Sequence, residues 1–313
     1  MDTNNPWLRL CVEMMDAGLK YEWGTIETMK RFDVLAPHAA ALIECAYSAE
    51  CHDLGPYDHL VFICNTLGYG LRYGGKYALS LECYKKALSL QENALGRMDS
   101  HRATLYYNIA WLYDELNELD SALAWYKKDL VITEAVYGRE GTSVAHTYNC
   151  IGTVYQKKRN YKMAMSYFKR ALYAIETTLG KSNPEIATVC NSIANVYADK
   201  QQFEQALKWH QRDLSICEKA LGKKHPDTAT SYNNIGVTYY EMGDQQSALQ
   251  WYEKAIAIRY AFFGKEHPAV EISIRNAALA YSRLDGVAAP FDDWLIKIIF
   301  ETAEETIAAN PLE

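Results

Sequence analysis

Residues 223–240, KKHPDTATSYNNIGVTYY, gather a histidine, a carboxylate, hydroxyls, paired amides and tyrosines in one short stretch. With a nucleophile in reach, His225 and Asp227 are the residue types for general acid–base chemistry. Thiols are the other candidates: Cys11, Cys45, Cys51, Cys64, Cys83, Cys150, Cys190 and Cys217. They are scattered singly, with no CxxC pair and no histidines at zinc-finger spacing, so they read as reduced, mostly buried small hydrophobes. His146 and His210 have no acid and nucleophile at a telling spacing. Lys157-Lys158-Arg159 could touch phosphate, although charges in the last turn of a helix are ordinarily just solvated. No phosphate-binding loop, zinc signature or nucleophile elbow is present. A reactive cluster occurs once, whereas an architectural unit recurs, so the elements that would hold these residues decide between the two.

The stretch recurs. Gly96, Gly138, Gly180, Gly222 and Gly264 are spaced by 42 residues. The same period carries Tyr113, Tyr155, Tyr197, Tyr239 and Tyr281, then Ile109, Ile151, Ile193 and Ile235, and the small residues Ala110, Gly152, Ala194, Gly236 and Ala278. Ala122, Ala164, Ala206 and Ala248 form a further column. Each period predicts two helices. In SYNNIGVTYYEM, the residues Tyr232, Ile235, Gly236 and Tyr239 make an i, i+3, i+4, i+7 stripe. Gly243-Asp244 predicts a short turn. The second helix places Ala248, Leu249, Tyr252, Ala255, Ile256 and Phe263 on one side and ends at Gly264. His225, Asn183 and His267, each before a proline, predict caps for the next helix, with Glu185 and Asp227 complementing its dipole. One such hairpin cannot bury its stripe alone, so the sequence predicts an all-α solenoid of stacked, antiparallel helix pairs.

The order aromatic, Ile, small, Tyr, Ala, aromatic, Ala (Tyr232, Ile235, Gly236, Tyr239, Ala248, Tyr252, Ala255) resembles the tetratricopeptide repeat. The segments LGKKHPDTATSYNNIG and LGKSNPEIATVCNSIANVY are similar to the longer, 42-residue form found in kinesin light chains. The resemblance implies a right-handed superhelix. It divides the chain into an imperfect repeat over 55–96, four repeats over 97–138, 139–180, 181–222 and 223–264, and a partial repeat with a capping helix over 265–313. Residues 1–54 lack the heptads of a motor light chain and contain Pro6, Gly18, Gly24 and Pro37 between short apolar stretches, so a helical cap is expected there, a degenerate repeat being the other form it could take. In AAPFDDWLIKIIFETAEETIAANPLE, Phe291, Leu295, Ile298, Ile299 and Ala303 are expected to face the last hairpin; the other reading is an exposed Trp294–Ile299 face that holds a partner. The terminal Leu312-Glu313 resembles the scar before a purification tag.

In such arrays the first helices line the concave surface. That implies a groove column of Asn65, Tyr107, Asn149, Asn191, Asn233 and Arg275. Beside it run Tyr69, Trp111, Thr153, Asn195, Val237 and Leu279, and then Arg72, Asp114, Gln156, Ala198, Tyr240 and Ser282. Amides offer donors and acceptors suited to the backbone of an extended peptide; the other reading is that these asparagines bridge adjacent helices. The expected peptide-binding residues are Asn65, Tyr69, Arg72, Trp111, Asn149, Asn191, Asn195, Asn233, Tyr240 and Arg275. Both signs of charge lie along the face, so the sequence assigns no charge to the ligand.

The 313 residues carry a net charge of −7. That balance argues against general affinity for nucleic acid or anionic membrane. No apolar run approaches a bilayer-spanning length, and no secretory signal is evident at the start, so a cytoplasmic location is expected. The expected function is a non-enzymatic scaffold or adaptor, without cofactor or metal, that holds an extended peptide or tail of a protein partner. The alternative is a regulatory sensor whose superhelix changes shape on binding a signalling peptide or other ligand. Self-association is left open.

Overall fold

The 42-residue period is set by how each second helix stops. Gly138, Gly180, Gly222 and Gly264 have φ between 77° and 91° with an extended ψ, a region that glycine alone enters cheaply. The N–H of each closes a last helical bond to the carbonyl four residues back. The computed structural model describes residues 26–48, 57–95, 100–284 and 290–299, and all regular structure among them is helical. The expectations for Gly96, Cys11, Cys51, Ala303, Leu312-Glu313 and the stretch before residue 26 lie outside the described residues.

The chain divides into two compact units, one up to Arg139 and one from Glu140. The first contains α1 (Ile26–Ser48), α2 (Tyr57–Tyr73), α3 (Tyr77–Leu95), α4 (Ser100–Glu115) and α5 (Leu119–Tyr137). The second contains α6 (Thr142–Lys157), α7 (Tyr161–Leu179), α8 (Glu185–Asp199), α9 (Phe203–Leu221), α10 (Pro226–Met242), α11 (Gln245–Phe263) and α12 (Pro268–Tyr281). Residues 291–299 form a further helix, α13. Within each unit the helices pack as hairpins: α2 on α3, α4 on α5, α6 on α7, α8 on α9 and α10 on α11.

Close approach inside a hairpin depends on the small column of the first helix meeting a ring of the second. A Cβ added to Gly152 would lie 2.5 Å from the Phe168 ring, and one added to Gly236 would lie 2.7 Å from Tyr252. Those rings are fully buried and supply much of the apolar area that holds each pair.

The turn inside each hairpin is also periodic. Residues 75, 117, 159, 201 and 243 all have positive φ, although only the first and last are glycine; Asn117, Arg159 and Gln201 fill the others. Each turn makes the paired bonds of a Schellman motif, for example Asp244 N–H to the Tyr239 carbonyl (2.9 Å) and Gly243 N–H to the Tyr240 carbonyl (3.1 Å). The recurring tyrosine thus contributes its backbone to the turn as well as its ring to the interior.

Entry into the first helices follows the expected caps. Nδ1 of His225 accepts from Asp227 N–H, Nδ1 of His267 accepts from Ala269 N–H, and Asn183 Oδ1 accepts from Glu185 N–H. His225 and Asp227 are therefore occupied in starting α10.

Two expectations need correction. Phe263 does not join the core stripe of α11; it is more than a third exposed, because it stands at the helix end, and it stacks on the His267 ring with centroids 4.0 Å apart. Pro37 does not separate short stretches but lies inside the 23-residue α1, which buries Phe32, Ala39, Leu42 and Ile43 against α2 and α3. Of the two readings of α13, the alternative of an exposed face does not hold for Trp294, whose ring packs with Phe291 and Tyr281 at the end of the second unit, while Ile298 is buried against the α11–α12 core.

Candidate functional site

In the second unit the face is built by α6, α8, α10 and α12, whose 42-residue repeat brings equivalent side chains to equivalent positions. The bonds donated by side-chain amides between neighbouring first helices step by 43 residues. Asn234 Nδ2 donates to Asn191 Oδ1 (2.9 Å), and Asn276 Nδ2 donates to Asn233 Oδ1 (3.3 Å). Ser273 Oγ also donates to Asn233 Oδ1 (3.2 Å), and Gln156 Nε2 donates to Asp199 (2.8 Å). The column amides therefore do bridge helices, through their carbonyl halves. Asn233 is only 7% exposed. Its Nδ2, and that of Asn191, have no partner among the described residues. Asn149, in the same column of α6, is half-buried, and its Oδ1 is shut from water with no hydrogen bond among the described residues.

Asn195 and Arg275 stand exposed on α8 and α12. Tyr240 is half-buried under the guanidinium of Arg283, 4.6 Å from its ring centre. Glu241, beside it, has its carboxyl raised above the usual range by loss of water and then by the nearby Asp199 charge. This corner of the face consequently disfavours a second negative charge, whereas Arg275 favours one.

The first unit carries different chemistry. The Arg72 guanidinium lies between the rings of Tyr69 and Trp111, 4.4 Å from each centre. Tyr77 meets Trp111 edge-on, and Tyr69 Oη donates to Tyr73 Oη at 3.5 Å. That bond, with partial burial, holds the Tyr69 phenol above its ordinary value. Asn65 makes one amide bridge here, accepting from Asn108 Nδ2 at 3.0 Å.

All ten expected residues thus lie on first helices. The structure groups Tyr69, Arg72 and Trp111 in direct contact and ties Asn65, Asn191 and Asn233 to the next helix; Asn195 and Arg275 make no such tie among the described residues. Sequence reading missed the receiving column. Asn108, Asn234 and Asn276 also recur on the 42-residue period, one position after the column chosen, so the signal was present.

The remaining candidates fall into packing roles. His210 takes the buried ring position of its repeat, and burial lowers its imidazole to about 4. Cys64, Cys190 and Cys217 are buried, and burial pushes their thiols up. Cys150 is half-exposed, and its Sγ lies 3.7 Å from His146 Nδ1, one turn away on α6, a contact not anticipated from sequence. Loss of water lowers the His146 imidazole, against an opposing pull from Glu185. Among the described residues no group of three or more His, Cys, Asp or Glu is placed to hold a metal ion, and no helix is long and apolar enough to cross a membrane.

A family model described as tetratricopeptide repeat matches residues 62–128, 143–212 and 185–261. The curated proteins contain no match. Among solved structures, the chain is similar to BtubC (BKLC) from P. vanneervenii, with 25% identity over 76% of this chain and 94% of that one and a TM-score of 0.61. It is also similar to a putative kinesin light chain with nearly identical TPR-like repeats from Podosopora anserina, at 17% identity, 63% and 93% coverage and a TM-score of 0.54. A Rap protein complexed with Competence and Sporulation Factor shares the fold at 17% identity, with 97% of this chain and 76% of that chain covered and a TM-score of 0.56.

Proposed function

Because this chain belongs to the tetratricopeptide repeat family, we propose that it is a non-enzymatic interaction scaffold whose second unit holds an extended segment of a protein partner along the face of α6, α8, α10 and α12. The observation that supports this is the division of labour within the amides. Asn191 and Asn233 have their oxygens engaged by the next helix, which fixes the side chains, while their Nδ2 donors have no partner among the described residues. Fixed donors at repeat positions match the carbonyl oxygens of an extended backbone, and recognition of that kind gives affinity with little dependence on sequence. Asn195 and Arg275, exposed on the same helices, would add side-chain selectivity, and the Tyr69–Arg72–Trp111 stack offers the first unit a separate contact surface.

The test follows from the same geometry. Asn191→Asp and Asn233→Asp keep an oxygen for Asn234, Asn276 and Ser273 but delete the donors. A peptide array probed with the full chain should yield binders, and the double variant should bind them at least about tenfold more weakly, the scale of one lost hydrogen bond to a buried group. Helix content by circular dichroism should stay at the parent value. Equal affinity in parent and double variant, or an array without binders, would sink the proposal.

A further inference from the structure

At the turn between α6 and α7, five cationic residues, Lys158, Arg159, Lys162, Lys169 and Lys200, line one open concavity of about 950 Å³, and no carboxylate belongs to its lining. This is unusual in a chain of net charge −7. The nearest acid in sequence, Asp199, is engaged by Gln156.

Folding alone does not ask for this arrangement. Cations at Lys158 suit the end of α6, where helix carbonyls are exposed. Lys162 is the opposite case, since it stands in the first turn of α7, the end at which a positive charge is unfavourable. The equivalent residues of the other repeats are Ala78, Asp120, Glu204 and Gln246. Arg159 has φ of 57°, a conformation that costs a non-glycine residue about 1 kcal/mol. Two of its equivalents, Gly75 and Gly243, avoid that cost. Lys169 corresponds to Lys85, Lys127, Gln211 and Glu253, so a cation there is common, but only this hairpin collects all these positions as cations. Two residues placed against the local preferences of a helix, and three more cations gathered with them, form an electrostatic feature that a bound anion would neutralise.

We propose that this concavity is a second binding site, separate from the first-helix face, and that it takes a multiply charged phosphate. Guanidinium and ammonium groups together match phosphoryl oxygens, which accept several charge-assisted bonds from different directions. A single carboxylate would match only part of so cationic a lining. The opening is wide, and although Tyr161 and Met165 also line it, the collected cations are what set this hairpin apart from the others, so the charged group is what the site recognises first.

The experiment is calorimetric titration of the full chain at 50 mM and 200 mM salt with three probes: sodium tripolyphosphate, a peptide bearing clustered phosphoserines, and the same peptide with glutamates. Tripolyphosphate should bind, and its affinity should fall steeply at the higher salt. The double variant Arg159→Gly, Lys162→Gln should bind at least about tenfold more weakly. Both changes replace a residue with one used at, or suited to, the same position in other repeats, so the variant should fold. As a check on the two sites, the Asn191→Asp, Asn233→Asp variant should bind tripolyphosphate as the parent does. Tighter binding of tripolyphosphate than of the phosphopeptide assigns the site to free oligophosphates, and the reverse assigns it to a phosphorylated partner; either supports a phosphate site. Absence of binding, equal binding by the double variant, or equal affinity for the glutamate peptide would overturn it.

Discussion

Asp129 in the first unit and Asp213 in the second occupy the same repeat position two periods apart, and both are buried. Each meets the residue one turn further along its helix. Thr133 Oγ1 donates to Asp129 at 2.8 Å, whereas Asp213 has the weaker Cys217 thiol at 3.6 Å. Burial pushes the Asp213 carboxyl up to about 6, against the opposing pull of hydrogen bonds from Ser231 and Cys217. The faces contrast in the same way: rings around a guanidinium in the first unit, fixed amides in the second. What the frame holds constant is the direction of each side chain and the space around it. The chemistry placed in that direction varies, which is how one repeat can carry different contact surfaces.

The hardest test of a constant frame is the small column. In the first unit a Cβ added to Gly68 would lie 2.7 Å from Tyr84, and in the second one added to Gly236 would lie equally close to Tyr252. Gly236→Val should destabilise the chain by about 3 kcal/mol, since the ring it would strike is fully buried and overpacking forces backbone shifts. Urea unfolding measures this. A loss under about 1 kcal/mol would mean that the hairpins adjust their spacing freely and that the frame is not the constant.

The buried aspartates sharpen the contrast with a pH signature. A carboxyl whose folded value is raised contributes stability that is complete below the unfolded value of about 3.9 and is lost as pH rises through about 6. Asp213→Asn should therefore stabilise the chain at pH 7.5 by about 2 kcal/mol and have no such benefit near pH 4. His210, lowered to about 4 by burial, acts in the other sense, its contribution being lost as pH falls from about 6.5 toward 4. It is present in parent and variant alike, so the difference between them isolates Asp213. Asp129→Asn should gain less, because the Thr133 hydroxyl already supports that carboxylate. Equal gains at both sites, or a gain independent of pH, would break the comparison.

Features set by local backbone and side-chain size were legible in the sequence. The glycine period gave the helix ends, the residues His225, Asn183 and His267 gave the caps, and the alternation of small residues and rings gave the hairpin contact. The bridges between first helices were less legible, because they join one column to the next column of the following repeat, a 43-residue step that a strict 42-residue alignment hides. The basic concavity was half visible. Lys157-Lys158-Arg159 is contiguous, but Lys162, Lys169 and Lys200 reach it only through the turn and the neighbouring hairpin. Phe263 misled because apolar character and helical spacing assign it a face, whereas as the last residue before the Gly264 stop it is left more than a third exposed.

The smallest expected effect concerns the turn between paired helices, where the units use different residues in one strained conformation. Asn117 and Gln201 have φ of 59° and 57°. Asparagine enters this region at reduced cost because its short amide bonds locally, whereas glutamine has no such compensation. Glycine removes the steric cost but adds freedom to the unfolded chain, so the two effects oppose each other. For Gln201→Gly the steric relief should win, with a gain of about 0.5 kcal/mol; for Asn117→Gly the terms should nearly cancel. Both residues are exposed and each N–H closes the same Schellman bond, Asn117 to the Asp114 carbonyl and Gln201 to the Ala198 carbonyl, so neither packing nor the turn's hydrogen bonds distinguish them. Unfolding midpoints of the two variants, measured side by side, report the difference directly. If Asn117→Gly gained as much as Gln201→Gly, the local amide would contribute nothing, and the turns of the two units would be equivalent despite their sequences.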